Sequence, residues 1–361
     1  MKYRRLGNTD LYVSEVGFGT IPILKGHVKV LPNYYNCDDD EAISIMEYAY
    51  HLGCNIFDTA IVPEYGDAEI KLGKFANQIG REKIIISDKA RFFKGHEIHN
   101  AVCTSIENLG TYPDIYFVHQ VDLDNMNDVF EKDGALDALQ ELKKQGKIRY
   151  IGIASHYYDV LCKGAQDKRV DVLQGSGNIL ERGMLDRIEK EIAFAQKGFI
   201  LNKVYAAGIL PKFFDTKELI RGVLSYPIST ALIGIGTKQQ ADSAFLYETE
   251  KNEDHTRPSF HSVISRLNMN FAPIYCDRCQ KCKCEYGTQI HILFRQYNYY
   301  FLGKDYWALR KLDLSIQESA AHCRKCVHVK CIRCCPYGLD IPNIMQKIEL
   351  LVHQHIRNSI I

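Results

Sequence analysis

Short apolar runs rich in β-branched residues alternate, over roughly the first 240 residues, with stretches whose apolar positions recur every three or four residues. The runs at 13–19, 55–58, 84–89, 115–119, 150–155, 170–174, 198–203 and 230–234 read as strands. The intervening segments 39–52, 68–75, 97–109, 135–145, 159–167, 186–196, 217–225 and 238–248 read as helices, several of them ending at glycine, as at Gly53, Gly110 and Gly146. A short hairpin opens the chain. Eight strand–helix units in about 240 residues predict a (β/α)8 TIM barrel. The rival, an open doubly wound sheet, calls for a glycine-rich phosphate turn after its first strand, and GFGTIP at 17–22 is not G-x-G-x-x-G.

In a barrel, chemistry sits on the loops at the C-terminal strand ends. Asp58, Lys89 and His119 stand at the ends of the second, third and fourth predicted strands, and Tyr65 lies in the loop past Asp58. Together they make a proton-transfer set. A free tyrosine titrates near 10, and a buried lysine ammonium beside it is expected to lower that value, with Asp58 holding the ammonium and His119 polarising a carbonyl oxygen. Each residue alone has a plain structural reading, as a buried histidine or a satisfied lysine.

Composition excludes several classes. Of 361 residues, 46% are hydrophobic and 25% charged, and a net charge of +1 offers no electrostatic case for nucleic acid or an anionic membrane. No apolar run approaches the roughly 18 residues of a spanning helix, and the opening MKYRRLGNTD has no apolar export segment. The expected compartment is therefore reducing, the cytoplasm, where clustered thiols hold metal more often than they form disulfides.

Nine of the 13 cysteines fall in the last ninety residues, in two knots. Cys276, Cys279 and Cys282 give the first spacings of the bacterial ferredoxin run C-x2-C-x2-C-x3-C-P, and Cys331-x3-Cys335-Pro336 gives the terminal one. Two [4Fe–4S] clusters are the expectation, with two zinc sites as the alternative, because four thiolates also suit tetrahedral zinc. Cys37, Cys54, Cys103 and Cys162 are scattered and read as small buried hydrophobes. The aromatic stretch 290–314, with Tyr297, Tyr299, Tyr300, Phe301, Tyr306 and Trp307, reads as helical packing between tail and barrel, since it lacks a basic stripe for stacking bases. A last helix is expected over 342–355.

The chain resembles the aldo/keto reductases, in the branch that carries a C-terminal ferredoxin-like module. The matching text is MKYRRLGNTDLYVSEVGFGT at the start, NIFDTA at 55–60, EYGDAE at 64–69, IIISDK at 84–89, DIYFVH at 114–119, KIRYIGI at 147–153 and, in the tail, CPYGLDIP at 335–342. The resemblance implies a barrel over 1–255 and a small, mostly helical ferredoxin-like domain with two [4Fe–4S] clusters over 265–361. It implies NADP(H) or NAD(H) as hydride carrier, a small-molecule aldehyde or ketone as substrate, and Tyr65 as general acid/base with Asp58, Lys89 and His119. It places Ser155, Gln174 and Asn178 at the carboxamide end of the dinucleotide, and Gly234, Thr237, Lys238 and Gln240 at its phosphate end. It pairs Cys276, Cys279, Cys282 and Cys335 on one cluster, and Cys284, Cys323, Cys326 and Cys331 on the other, leaving Cys334 as a ninth thiol.

Five departures from the family pattern stand out. The loop from Asp58 to Tyr65 is two residues longer than is common. The family's Ser-Asn-His becomes Ala154, Ser155, His156, and the tyrosine expected before Asn178 is Gly177. Asn202 replaces a ring or methionine against the nicotinamide. Gln240 stands where an arginine often grips the 2′-phosphate, which weakens the case for NADPH over NADH. Nicotinamide yields two electrons together whereas each cluster takes one, and no flavin fingerprint is visible. The tail therefore implies a further cofactor or an electron-transfer partner protein, or a structural or redox-sensing role. The competing reading is a non-catalytic barrel serving as scaffold for an iron–sulfur electron carrier or sensor.

Overall fold

A computed structural model of the chain describes residues 1–26, 35–181, 183–188, 190, 196–247, 273–276, 278–279, 281–304 and 306–359. Eight parallel strands close into a barrel in chain order: Val16–Gly19, Ile56–Asp58, Ile85–Ala90, Ile115–Val118, Tyr150–Ser155, Val172–Ser176, Gly198–Asn202 and Thr230–Gly234. The eighth pairs back on the first, with Ala231 opposite Val16 and Gly234 opposite Gly19. The helices between them are Asp39–His51, Ala68–Ile79, Gly95–Leu109, Ala135–Lys144, Tyr158–Gln166, Gly183–Ile188 and Thr216–Leu224, and Lys238–Phe245 follows the last strand. All eight expected strands are present, so the barrel reading holds over the open sheet.

Two boundaries differ from expectation. The run 13–19 divides at Glu15: Tyr12–Ser14 pairs antiparallel with Tyr3–Arg5, and Val16 begins the barrel. Glu15 is buried at this junction, where its carboxylate accepts from Arg4 Nε (2.6 Å) and the Tyr247 hydroxyl (2.5 Å). The sixth strand runs two residues further than its apolar signal, because Gly175 and Ser176 find partners in Leu201 and Asn202. The helix expected over 186–196 is seen as Gly183–Ile188, and 189 and 191–195 lie outside the described residues.

Parallel barrel strands are covered on both faces, which explains their near-continuous apolar runs. Inward, Ile56, Ile85, Ile115, Phe117, Val172, Ile200 and Leu232 fill the cylinder, and Leu6, Leu11 and Val13 of the hairpin stopper its lower end. Phe117 occupies the space a side chain would need at residue 152: a Cβ there would stand 2.1 Å from its ring, so only glycine fits. Outward, Phe18, Phe57, Ile86, Val118 and Ile153 meet the helices.

A second core lies under the cysteine tail. The helices Ile290–Gly303, Tyr306–Lys325 and Ile341–Ser359 bury Phe294, Tyr297, Leu312, Ile316, Met345 and Ile348 together with Ile179, Leu180, Ile209 and Leu210 from the loops after the sixth and seventh barrel strands. Tyr297, Tyr299, Tyr300 and Phe301 thus serve as packing between tail and barrel. The Tyr306 and Trp307 side chains, and the expected boundary between 255 and 265, lie outside the described residues. Lys212 Nζ donates to the Gly303 carbonyl (2.9 Å), tying the two units at the end of the first tail helix. No helix among the described residues is long and apolar enough to cross a membrane.

Candidate active site

The second and third strands end side by side, Asp58 opposite Ser87, which brings Asp58 and Lys89 together at the upper rim. Lys89 Nζ lies 2.5 Å from Asp58 Oδ2 and donates to the Thr59 carbonyl at 2.7 Å. The other carboxylate oxygen accepts from Ser87 Oγ (2.7 Å) and Gln174 Nε2 (3.0 Å). Both groups are buried, 4% and 1% exposed, so each supplies the other's counter-charge away from water.

The longer loop after Asp58 is taken up by a 3-10 turn, Pro63–Tyr65, and does not carry the phenol away. Lys89 Nζ sits 5.1 Å from the centre of the Tyr65 ring, and its charge pulls the phenol's pKa down. The turn is pinned from the other side by Arg91 Nη2 donating to Glu64 Oε1 at 2.9 Å. Burial nevertheless pushes the Tyr65 hydroxyl up to about 12, against the pull of Lys89 and with the push of Asp58. The expectation that Lys89 brings the phenol toward neutrality is thus corrected: desolvation outweighs the ammonium, and at neutral pH Tyr65 holds its proton.

His119 follows the fourth strand and is fixed by its own N–H to the Ala90 carbonyl (2.8 Å). Burial, then Lys89, Arg91 and Lys203, hold its imidazole well below the usual histidine range. It is therefore neutral, and its Nδ1 is buried without a partner among the described residues. The four residues form one group: a carboxylate, an ammonium, a protonated phenol and a neutral imidazole.

The residues implied for the dinucleotide divide. Gln174 Oε1 and Asn202 Oδ1, on adjacent strands, are buried polar atoms with no partner among the described residues, as a site for a polar ligand requires. Ser155 and Asn178 are largely committed elsewhere. Ser155 Oγ donates to the Val121 carbonyl and accepts from Tyr157 N, while Asn178 accepts from Leu180 N and Glu181 N and donates to the Lys203 carbonyl. At the far end, Thr237 caps helix Lys238–Phe245 by accepting from Gln240 N (3.1 Å), and Gln240 Oε1 accepts from Gly236 N (2.7 Å). The stretch Gly234 to Gln240 thus presents a helix N-terminus, suited to phosphate, with no arginine. The Lys238 ammonium lies over the Tyr48 ring at 5.6 Å.

In the tail, two hollows divide the cysteines. One is lined by Cys276, Cys279, Cys282 and Cys335, the other by Cys284, Cys323, Cys326 and Cys331. Cys334 is exposed and lines neither. Among the described residues no three His, Cys, Asp or Glu side chains converge closely enough for a single metal ion.

Sequence reasoning missed Arg278, Arg295, Lys203 and Glu181. Glu181 is buried between the two guanidinium groups, Oε1 at 3.5 Å from Arg295 Nε and Oε2 at 4.0 Å from Arg278 Nη1. These residues come from four separate segments, so no spacing announces them.

The chain is a closed (β/α)8 barrel that carries Asp58, Tyr65, Lys89 and His119 on or just beyond its second, third and fourth strands. The chain belongs to the aldo/keto reductase family, whose sequence profile matches residues 15–221. It is 33% identical to the L-galactose dehydrogenase of Arabidopsis thaliana over 171 residues, 44% of this chain and 50% of that enzyme. To the NADH-specific methylglyoxal reductase of Escherichia coli it is 29% identical over 208 residues, 51% of this chain and 61% of the relative. The chain thus spans about half to three-fifths of the curated relatives it matches. A solved structure of an aldo-keto reductase from Pseudomonas aeruginosa superposes with a TM-score of 0.58 at 25% identity, covering 68% of this chain and 93% of its own. One from Bacillus halodurans, at 21% identity and a TM-score of 0.62, shares the fold.

Proposed function

We propose that the barrel (1–255) reduces an aldehyde or ketone to an alcohol, or runs the reverse, with a nicotinamide dinucleotide, and that the tail (265–361) is an iron–sulfur module. The observation that carries the first part is the buried Asp58–Lys89 pair directly under Tyr65. The dinucleotide fits the unpartnered Gln174 Oε1 and Asn202 Oδ1 at one end and the Thr237-capped helix, with Gly234, Lys238 and Gln240, at the other; Ser155 and Asn178 shape the strand ends between. When bound, it supplies the hydride.

The protein's own part is proton transfer and polarisation. His119 offers a ring N–H to the carbonyl oxygen while staying neutral, which suits a donor that must not give up a net charge. Tyr65 holds a proton at neutral pH and passes it to that oxygen as negative charge develops there. Lys89 then faces the phenolate so formed, and Asp58 keeps the ammonium in place. In the reverse direction the phenolate takes the proton back.

For the tail, the two cysteine-lined hollows support [4Fe–4S] clusters on Cys276, Cys279, Cys282 and Cys335, and on Cys284, Cys323, Cys326 and Cys331. Such clusters supply one-electron chemistry, which calls for a partner protein of matching kind or leaves them a regulatory part. A reducing compartment, the cytoplasm, suits both.

The test is an anaerobic preparation assayed with NADH and NADPH against a panel of carbonyl compounds. Turnover that falls roughly 10²- to 10⁴-fold in Tyr65→Phe, with dinucleotide affinity held within about twofold, supports the reading. Failure of the intact protein to bind either dinucleotide sinks it.

A further inference from the structure

Near the proposed reducing centre, two arginines of the tail and one lysine of the barrel gather around one buried glutamate among the described residues. Arg278 lies between two of the cysteines of the first knot, is 7% exposed, and packs its guanidinium against the Tyr157 ring at 5.7 Å. Its Nε and Nη1 have no hydrogen-bond partner among the described residues. Arg295 comes from the first tail helix and donates to the Tyr299 hydroxyl through Nε (3.0 Å) and Nη2 (2.8 Å). Lys203 follows directly on the seventh barrel strand, which ends at Asn202. Glu181 is the carboxylate that faces both arginines, at separations of 3.5 and 4.0 Å, which are loose for buried ion pairs. Among the described residues Glu181 is the carboxylate that faces this group, and the thiolates of the first knot flank Arg278.

This group belongs to the same rim as the proton-transfer set. His156, one residue beyond the fifth strand, is acted on by Arg278, Arg295, Lys203 and His119 together. Lys203 in turn feels Lys89, as well as Arg295 and Arg278. Burying unpaired guanidinium nitrogens is expensive, and a protein retains such groups where a ligand completes them. A planar fork with two open N–H groups matches a carboxylate or phosphate by geometry as well as charge.

We propose that Arg278, Arg295 and Lys203 bind an anionic oxygen group, a carboxylate or phosphate carried by the carbonyl substrate. The tail then completes the substrate site of the barrel, and the preferred substrates are acids of the 2-oxo acid kind or phosphorylated carbonyl compounds. The substrate assignment rests on the reductase reading above; the anion site itself does not. Anionic oxygens on the dinucleotide are the other source of the same chemistry.

The experiment uses the full-length protein with its metal intact and has three arms. Oxalate is titrated by calorimetry. NADH affinity is measured by fluorescence. Turnover is compared for pyruvate and its methyl ester. Oxalate should bind, and Lys203→Gln and Arg295→Gln should each weaken it by roughly tenfold to a hundredfold. Glu181→Gln should tighten it, because a competing carboxylate is removed. Arg278→Gln should behave like the other two, with iron content confirming that the first knot is intact. The acid should be preferred to its ester in the wild type, and that preference should vanish in the variants. Equal turnover of acid and ester, or oxalate binding indifferent to all three cations, overturns the proposal. So does a loss of NADH affinity with the acid preference untouched, since the cations would then read the cofactor. If no carbonyl compound is turned over but oxalate binds and depends on all three side chains, the reductase reading fails and the anion site stands.

Discussion

Lys89 and Asp58 face each other across adjacent barrel strands at 2.5 Å, with both side chains closed off from water. Neither group has a route to solvent that would let it stay charged alone. Asp58→Asn therefore leaves an ammonium buried without its counter-charge, at a cost of roughly 3–5 kcal/mol, and Lys89→Met leaves a carboxylate in the same position. Denaturant unfolding should show a loss of that size for either single variant. The double variant Asp58→Leu with Lys89→Met should recover most of it while remaining inactive. If the two losses simply add, the pair is not coupled and the picture of mutual dependence is wrong.

The states of Tyr65 and His119 set the pH dependence. Burial raises the phenol to about 12, so it carries its proton throughout the neutral range. Burial and the neighbouring cations depress the imidazole, so it stays neutral well below 6.5. Neither group changes state between about pH 6.5 and 9, and kcat for reduction should be flat across that window. Alcohol oxidation starts from the phenolate and should rise with pH across the same interval. A reduction rate that falls with a midpoint near pH 8 would mean that Lys89 outweighs burial after all. For stability the sign is equally fixed. His119 and His156 both titrate lower in the fold than in the unfolded chain, so their contribution is complete above 6.5 and declines as pH falls below it.

The barrel was legible because its strands are buried on both faces and write continuous apolar runs, while each helix shows its own period. Boundaries were less legible where tertiary pairing overrode local preference. Gly175 and Ser176 have little strand tendency of their own and are held extended by Leu201 and Asn202. Glu15 interrupts an alternation that carries straight through 13–19, and its burial depends on Arg4 and Tyr247, the latter more than two hundred residues away. Asp58, Lys89 and His119 could be found because a barrel puts strand ends on one rim, so position along the chain stands in for position in space. Arg278 could not be found that way. In the sequence it is a spacer between cysteines; its role emerges only when the tail folds back over the loops after the sixth and seventh strands.

Cofactor choice follows from Gln240. Its amide oxygen closes the Gly234–Gln240 loop on Gly236 N, and no arginine stands in this stretch, the proposed phosphate end of the dinucleotide site. NADH should accordingly be bound at least as well as NADPH. Gln240→Arg should move the ratio of kcat/KM values toward NADPH by about tenfold or more, the worth of one charged, forked contact. An unchanged ratio would show that another group, with Lys238 the nearest candidate, already serves the phosphate.

The ninth cysteine of the tail gives the sharpest test of the module. Cys331 lines a hollow with Cys284, Cys323 and Cys326, whereas Cys334 points to solvent from the same short helix, Lys330–Cys334. A thiolate in a quartet is not replaceable by a hydroxyl without loss of the centre, while an exposed thiol is. Cys331→Ser should therefore lose about half of the iron and acid-labile sulfide of an anaerobic preparation, and Cys334→Ser should lose none. The reverse result would mean that the helix rotates on loading, bringing Cys334 in and turning Cys331 out. Zinc without sulfide in the wild type would remove the iron–sulfur assignment altogether while leaving the barrel chemistry untouched.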